Sequence, residues 1–249
     1  MPQRIPTSPF LFAGLIALAL AACAPVDSHM PTSAEIESTG LLAGPGRQAD
    51  AEARLLRWAE RGDAVAMREL ALVYLARPAQ QSEAMRWLQR GAEAGDDEAA
   101  FQLAEQLRVP AHGRQADLPR AWQWYRYAAE HQHAKAALAL ARMARNGDGV
   151  VRDLKLAAQW LQFASDHGNA QAMFLLSNAY LAGEGVPRNP LMARHLLERS
   201  AERDYPVAIQ ALALAVQGGD LLIPKDEVRA GHLLKEASEE RRNRWNSYN

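Results

Sequence analysis

His131 and His167 hold matching places in neighbouring segments of this chain, and so do His195 and His232. Two imidazoles brought side by side could share a metal ion, but a metal site needs three or four ligands and neither pair brings a carboxylate column with it. His195 and His232 instead continue the polar series Arg86, Gln123 and Gln159, which is the pattern of a solvated helix face. The adjacent carboxylates Asp96-Asp97 and Glu239-Glu240 suggest hydrolytic acid and base pairs. Neighbours on a helix point roughly 100° apart, however, so neither pair can close on one substrate bond. His29-Met30 offers two soft ligands in a stretch with no third. The chain has no phosphate-binding Gly-x-x-x-x-Gly-Lys-Ser/Thr loop, no Gly-x-Ser-x-Gly elbow and no His-Glu-x-x-His helix. The sequence therefore predicts no catalytic group, no bound metal and no cofactor.

The residues that do recur are apolar. Leu70, Leu103, Leu140, Leu176 and Leu212 follow one another at gaps of 33, 37, 36 and 36. Each has an alanine four positions before it (Ala66, Ala99, Ala136, Ala172, Ala208) and a small residue one after (Ala71, Ala104, Ala141, Ser177, Ala213). A second ladder runs Ala84, Ala121, Ala157, Ala193, Ala230, with Trp87, Trp124, Trp160, Leu196 and Leu233 three places on and Leu88, Tyr125, Leu161, Leu197 and Leu234 one further. Spacing of i, i+3, i+4 is one stripe of a helix, since a strand would repeat every second residue. Each unit thus holds two helices, A and B, and no unit can bury its apolar stripes without its neighbours. The expected fold is an all-α solenoid of about five stacked helix-turn-helix repeats, residues 49–245.

Stop and start signals divide the units at the same places. Asp117, Asp153, Asn189 and Asp226 stand four before the B-helix alanine, where a side-chain oxygen can accept from the open amides of a helix start. Gly62, Gly95 and Gly168 end B helices, and Asp63, Asp96 and Asn169 follow them as caps for the next A helix, with Pro206 at the first helical position of the last unit. Trp58 stands in a column otherwise made of Gly91, Ala128, Ala164, Ser200 and Ala237, and is expected to cap the end of the core, the alternative being a docking patch.

The loops between A and B read Gly147-Asp148-Gly149-Val150 and Gly183-Glu184-Gly185-Val186-Pro187. With the alanine-leucine helix before them and Ala-x-x-Trp after, they resemble the Sel1-like repeat, a relative of the tetratricopeptide repeat. The resemblance covers roughly residues 50 to 240 and is fullest over 134–169 and 170–205. It thins at Arg77-Pro78-Ala79-Gln80, around Pro110 to Gln115, and at Gly218-Gly219, where the valine is missing. It implies an interaction scaffold, not an enzyme, whose A helices line a concave face.

The first residues read as an address. Phe10 to Ala22 is an apolar run too short to span a bilayer, after a basic start at Arg4, and residues 1–22 are expected to be a signal peptide. Leu20-Ala21-Ala22-Cys23 resembles the bacterial lipobox, and Cys23 is the chain's only cysteine. The resemblance implies lipid attachment at Cys23, and Ala24 after it implies sorting to the outer membrane, facing the periplasm. Several acyl chains at about 0.8 kcal/mol per methylene make release negligible. Residues 23–48, rich in Pro, Ser, Thr and Gly with no helical stripe long enough to pack, are expected to form a flexible leash.

Net charge is −1, and no basic block stands out along the repeats, which argues against a nucleic-acid partner. Off the packing ladder of helix A lie Gln102, Glu105, Arg108, Arg142, Arg145, Asn178 and Gln217. Mixed signs with several guanidinium groups suit a protein segment better than a uniform polyanion, so these residues are the candidate partner-binding site. Peptidoglycan or polysaccharide is the alternative partner, which would require exposed aromatic rings in that groove. At the C-terminus, Arg241, Arg242 and Arg244 place cations at a helix end, with Trp245 and Tyr248 expected to cover the last core face or to dock.

Overall fold

The structure, a computed structural model, describes residues 31–44, 49–110 and 115–247, with side chains to residue 243. The apolar run, Cys23, His29 and Met30 lie outside the described residues, as do Tyr248 and the side chain of Trp245. The described chain is helical: α1 Ser33–Leu42, α2 Ala49–Glu60, α3 Ala64–Leu75, α4 Gln81–Glu93, α5 Asp97–Arg108, α6 Leu118–Glu130, α7 Ala134–Asn146, α8 Leu154–Asp166, α9 Ala170–Ala182, α10 Pro190–Ala201, α11 Pro206–Gly218 and α12 Glu227–Ser247. From α3 onward odd helices are A and even helices are B. Each packs on the next in chain order, A against its own B and B against the following A. This is the stacked solenoid that the ladders predict. None of the described helices is long and apolar enough to cross a membrane.

The ladder residues form the core. Leu70, Leu103, Leu140 and Leu176 are essentially inaccessible, and so are Ala66, Ala99, Ala136, Ala172 and Ala208. Of the knob column, Trp87 is buried while Trp124 and Trp160 are half-buried against the core. Leu234, on the last of the described helices, departs from its column and is 38% exposed. Two serines standing in alanine columns bond to a neighbouring carbonyl: Ser177 donates to Ala193 O at 2.7 Å and Ser200 to Ala170 O at 2.6 Å, sewing α9 to α10.

Caps fall where their residue types place them. Asp117, Asp153, Asn189 and Asp226 accept from the amides of Arg120, Leu156, Met192 and Arg229, and Asp63, Asp96 and Asn169 from those of Ala66, Ala99 and Ala172. The third unit uses other residues for the same turn. Gln132, like Asp204 before the last unit, takes the left-handed conformation that glycine holds at 62, 95 and 168, and His133 caps α7 by accepting from Ala136 N–H at Nδ1, 3.1 Å.

Two differences from expectation stand out. The leash is interrupted by α1, which buries Ile36, Thr39 and Gly40 against the first unit, with Ala43 buried just beyond its end. Together with α2, whose buried Ala51, Leu55 and Ala59 repeat Ala84, Leu88 and Ala92 one unit earlier, α1 forms a further helical pair at the start of the array. Trp58 on α2 is half-buried against the core beneath Arg54. The other difference is the last loop. Gly149 and Gly185, at φ +71° and +74°, lie so close under the preceding unit that a Cβ on Gly149 would meet Leu118 Cβ at 2.6 Å, and one on Gly185 would meet the Leu154 carbonyl. Their counterpart is Leu221, also at positive φ, 57°. A Cβ is thus tolerated at this loop, and a second buried cluster joins Leu197 and Ala201 of the fourth unit to Ile209, Leu212 and Val216 of the fifth.

Candidate partner-binding face

On each A helix the positions five before, one before and two after the ladder leucine fall on one stripe beside the core. On α5 these are Glu98, Gln102 and Glu105, and every one spends its polar atoms inside the protein. Glu98 accepts from Gln102 Nε2 at 2.8 Å and meets His133 Nε2 at 2.9 Å. Because His133 Nδ1 is the acceptor in the α7 cap, Nε2 carries the proton and donates to the carboxylate. That bond, reinforced by Gln102, holds the Glu98 carboxyl down at about 2. Phe101 stacks on the same imidazole at 4.6 Å. Glu105 accepts from the buried Tyr125 hydroxyl at 2.6 Å and pairs with Arg108 at 2.7 Å, while Arg108 Nε donates to that hydroxyl at 3.2 Å. Burial, and then the Glu105 carboxylate, push the Tyr125 hydroxyl well above its ordinary range. Three of the expected site residues, Gln102, Glu105 and Arg108, are thus engaged with their own neighbours.

The A helices α7, α9 and α11 differ. Arg142 on α7 is exposed, with no hydrogen bond or ion pair among the described residues, and Asn178 on α9 and Gln217 on α11 are likewise exposed and unengaged. Arg145 makes one long, solvent-open pair with Glu184 at 3.6 Å. Against α8 and α9 lies a cavity of about 120 Å³ lined by Leu161, Leu175 and Ala179 together with Arg145 and Glu184. Thirty-six residues on, a cavity of about 280 Å³ repeats the design, with Leu197, Ala211 and Leu214 in its walls and Leu181 and Asp220 in the places of Arg145 and Glu184. Asn178 lines both. Both fall below the roughly 300–1,000 Å³ of a small-molecule or cofactor site, and each has the size of a pocket for one side chain.

The matching histidines of α6 and α8 have a local task. His131 and His167 each bond through Nδ1 to the carbonyl four residues back, Tyr127 O and Phe163 O, at 2.8 Å, and each lies on the ring of that residue. They finish α6 and α8. His195 and His232 are exposed on the B-helix face. Among the described residues no three His, Cys, Asp or Glu side chains come together to hold a metal.

One group escaped the sequence. Arg68 is buried on α3 and binds Glu37 of α1 at 2.7 Å, Glu69 at 3.1 Å and Asp96 at 2.8 Å. Burial raises the Glu69 and Asp96 carboxyls above their ordinary values despite the nearby guanidinium. Its column otherwise reads Phe101, Leu138, Phe174 and Gln210, so a charge in a mostly apolar column was the available signal.

The sequence profile described as the Sel1 repeat matches residues 64–96, 97–133, 134–169, 170–205 and 206–240, unit for unit with the five helical pairs from α3 to α12. A Sel1 repeat protein from Oxalobacter formigenes is 27% identical in sequence, with a TM-score of 0.67 over 83% of this chain and 85% of that one. A protective antigen of uropathogenic Escherichia coli displaying an SLR fold superposes with a TM-score of 0.71 at 23% identity, over 84% of this chain and 46% of that one. An immunity protein from Pseudomonas aeruginosa shares the fold at 17% identity and a TM-score of 0.53, over 86% of this chain and 83% of that one. No curated protein sequence matches the chain.

Proposed function

Because the chain belongs to the Sel1 repeat family, whose repeats are generally protein–protein interaction modules, we propose that it is a non-enzymatic adaptor that captures a protein partner on its helix-A face. The observation that carries this is the contrast along that face. Glu98, Glu105 and Arg108 of α5 are consumed internally, whereas Arg142 is exposed with no ion pair among the described residues and Asn178, likewise unengaged, lines two small cavities. A surface of unpaired cation, amide and small apolar hollows matches a polypeptide, which offers carboxylates, backbone amides and apolar side chains together. A polysaccharide reading needs open ring faces in the groove. The tryptophans at 124 and 160 are instead half-buried on helix B, edge-on to Tyr127 and Phe163.

The adaptor is tethered in this reading. Leu20-Ala21-Ala22-Cys23 supports acylation of Cys23 after removal of residues 1–22, and Ala24 supports an outer-membrane, periplasm-facing address. Mass spectrometry of the mature N-terminus tests the first step; a Cys23→Ser chain that stays membrane-bound would overturn it. For the face itself, the double variant Arg142→Glu, Arg145→Glu is expected to lose its partner in affinity capture from envelope extracts while its circular dichroism is unchanged, since both side chains are exposed. Undiminished capture would exclude this face.

A further inference from the structure

A third cavity, of about 430 Å³, opens where the first two units meet and has no part in the partner face. Gln81, Met85 and Arg86 of α4, Leu103 and Leu107 of α5, and Arg120 in the first turn of α6 all line it, with Leu75 from the end of α3. Unlike the two small cavities beside α9, it falls within the roughly 300–1,000 Å³ of sites that take a whole small molecule. We propose that it binds a small phosphate monoester with an apolar body, the phosphate held by Arg86 and Arg120 and the body against Leu75 and Met85. This goes beyond partner capture and does not depend on it.

The charges at this joint carry the inference. No carboxylate lines the cavity. Arg86 is exposed and has no hydrogen bond or ion pair among the described residues. Arg120 pairs with Asp117 at 3.8 Å, with side chains 51% and 40% exposed, a long contact that a stronger acceptor can displace. Other joints do not bring two permanent cations to these places. The column of Arg86 continues as Gln123, Gln159 and His195, and that of Arg120 as Leu156, Met192 and Arg229, so the corresponding pairs are Gln123 with Leu156, Gln159 with Met192 and His195 with Arg229. The comparable cavity in the third unit, about 320 Å³, has Gln159 in the place of Arg86, and Lys155 is the one cation among the residues lining it.

The head group follows from the donors. A carboxylate has two oxygens, which a single guanidinium fork can occupy, whereas a phosphate monoester offers three and carries about −1.5 to −2 at pH 7, enough for forks from two helices. Gln81, whose amide has no hydrogen bond among the described residues, adds a neutral donor to the same lining. Leu75 and Met85 are half-buried, and Met85 brings a thioether that adapts to the shape of an apolar group. The core residues Leu103 and Leu107 complete the apolar lining.

Isothermal titration calorimetry of the purified full chain with 1-naphthyl phosphate tests this. Saturable binding is expected at a Kd of about 1 mM or below, with inorganic phosphate and 1-naphthol, the head and the body alone, each at least about tenfold weaker. Arg86→Gln and Arg120→Gln should each weaken binding about tenfold or more, the loss of a hydrogen bond to a charged group, with thermal melts unchanged because both side chains are exposed. Arg229→Gln, in the column of Arg120 but paired there with His195, should bind as the parent does. No saturable binding, binding equalled by inorganic phosphate, or binding indifferent to both arginine changes overturns the inference. Cosedimentation with phosphatidic acid vesicles that depends on Arg86, without binding of the soluble ester, also overturns it and assigns the charge to a membrane surface.

Discussion

Arg68→Met should be the most costly change of a charged residue in the first unit, and its cost should depend on pH in a stated direction. The guanidinium is surrounded by three carboxylates at 2.7, 2.8 and 3.1 Å, and two of them are themselves buried, with side chains 5% exposed for Asp96 and 13% for Glu69. Removing the cation leaves those two facing each other with no counter-charge, a class of change that costs roughly 3–5 kcal/mol. Glu37, half in solvent, adds little. Arg77→Met is the internal control. It breaks a pair with Glu52 at 2.7 Å whose side chains are 33% and 26% exposed, for a loss of about 1 kcal/mol or less. Burial already raises Glu69 and Asp96 above their ordinary values of 4.5 and 3.8, so in the folded chain protonation is favoured. For a raised carboxyl the stabilisation is complete below the unfolded value and is lost as pH rises through the folded one. Without Arg68 both carboxyls rise further. The deficit of Arg68→Met should therefore be full near about pH 8 and shrink toward about pH 4. Urea titrations of variant and parent, followed by circular dichroism across that range, read it directly. In a linear array the loss should also appear as early melting of the first units and undocking of α1. A deficit under about 1 kcal/mol, or one that does not change with pH, would refute the reasoning.

Three other outcomes follow. Glu98 is held down at about 2 by His133, so its contribution is present above 4.5 and lost as pH falls through about 2; the stability gap between the parent and Glu98→Gln should close over that window in acid titration. A gap unchanged at the acid end would disprove the pairing. Gly185→Ala must place a Cβ against the Leu154 carbonyl at φ +74°, so beyond the about 1–2 kcal/mol of a left-handed residue it should pry the third and fourth units apart. Gly62→Ala, with nothing near its Cβ position, should show only the backbone cost, and equal losses for the two would contradict the packing account. Ser177→Ala removes a buried hydroxyl bond of 2.7 Å but restores the ladder residue, so thermal melts should differ by about 1 kcal/mol at most.

The array was legible because its signals repeat. Leucine at 140 and 176, the aspartate and asparagine caps and the glycine loops each occur several times in phase, so a single exception did not hide them. What escaped occurs once. α1 has no amphipathic stripe to read, and what docks it is Ile36 in the core and a contact between Glu37 and Arg68, 31 residues apart. His133 takes the cap position of Asp63, Asp96 and Asn169 with an unlike side chain, and its bond to Glu98 spans 35 residues. Of the site residues, spacing placed Gln102, Glu105, Arg108, Arg142, Arg145, Asn178 and Gln217 on helix A correctly. Which of them were already engaged depended on partners such as Tyr125 on another helix, which spacing does not reveal. Polar residues on one face are legible in sequence; their freedom is a tertiary property.

The central claim is that the helix-A face holds a protein partner, and site-specific photocrosslinking tests it most directly. A benzophenone side chain at Leu214, exposed beside the second cavity, is expected to form a discrete covalent adduct with one partner in cells expressing the chain. The same group at His195, exposed on helix B, should give none. An adduct at 195 with none at 214 would contradict the account.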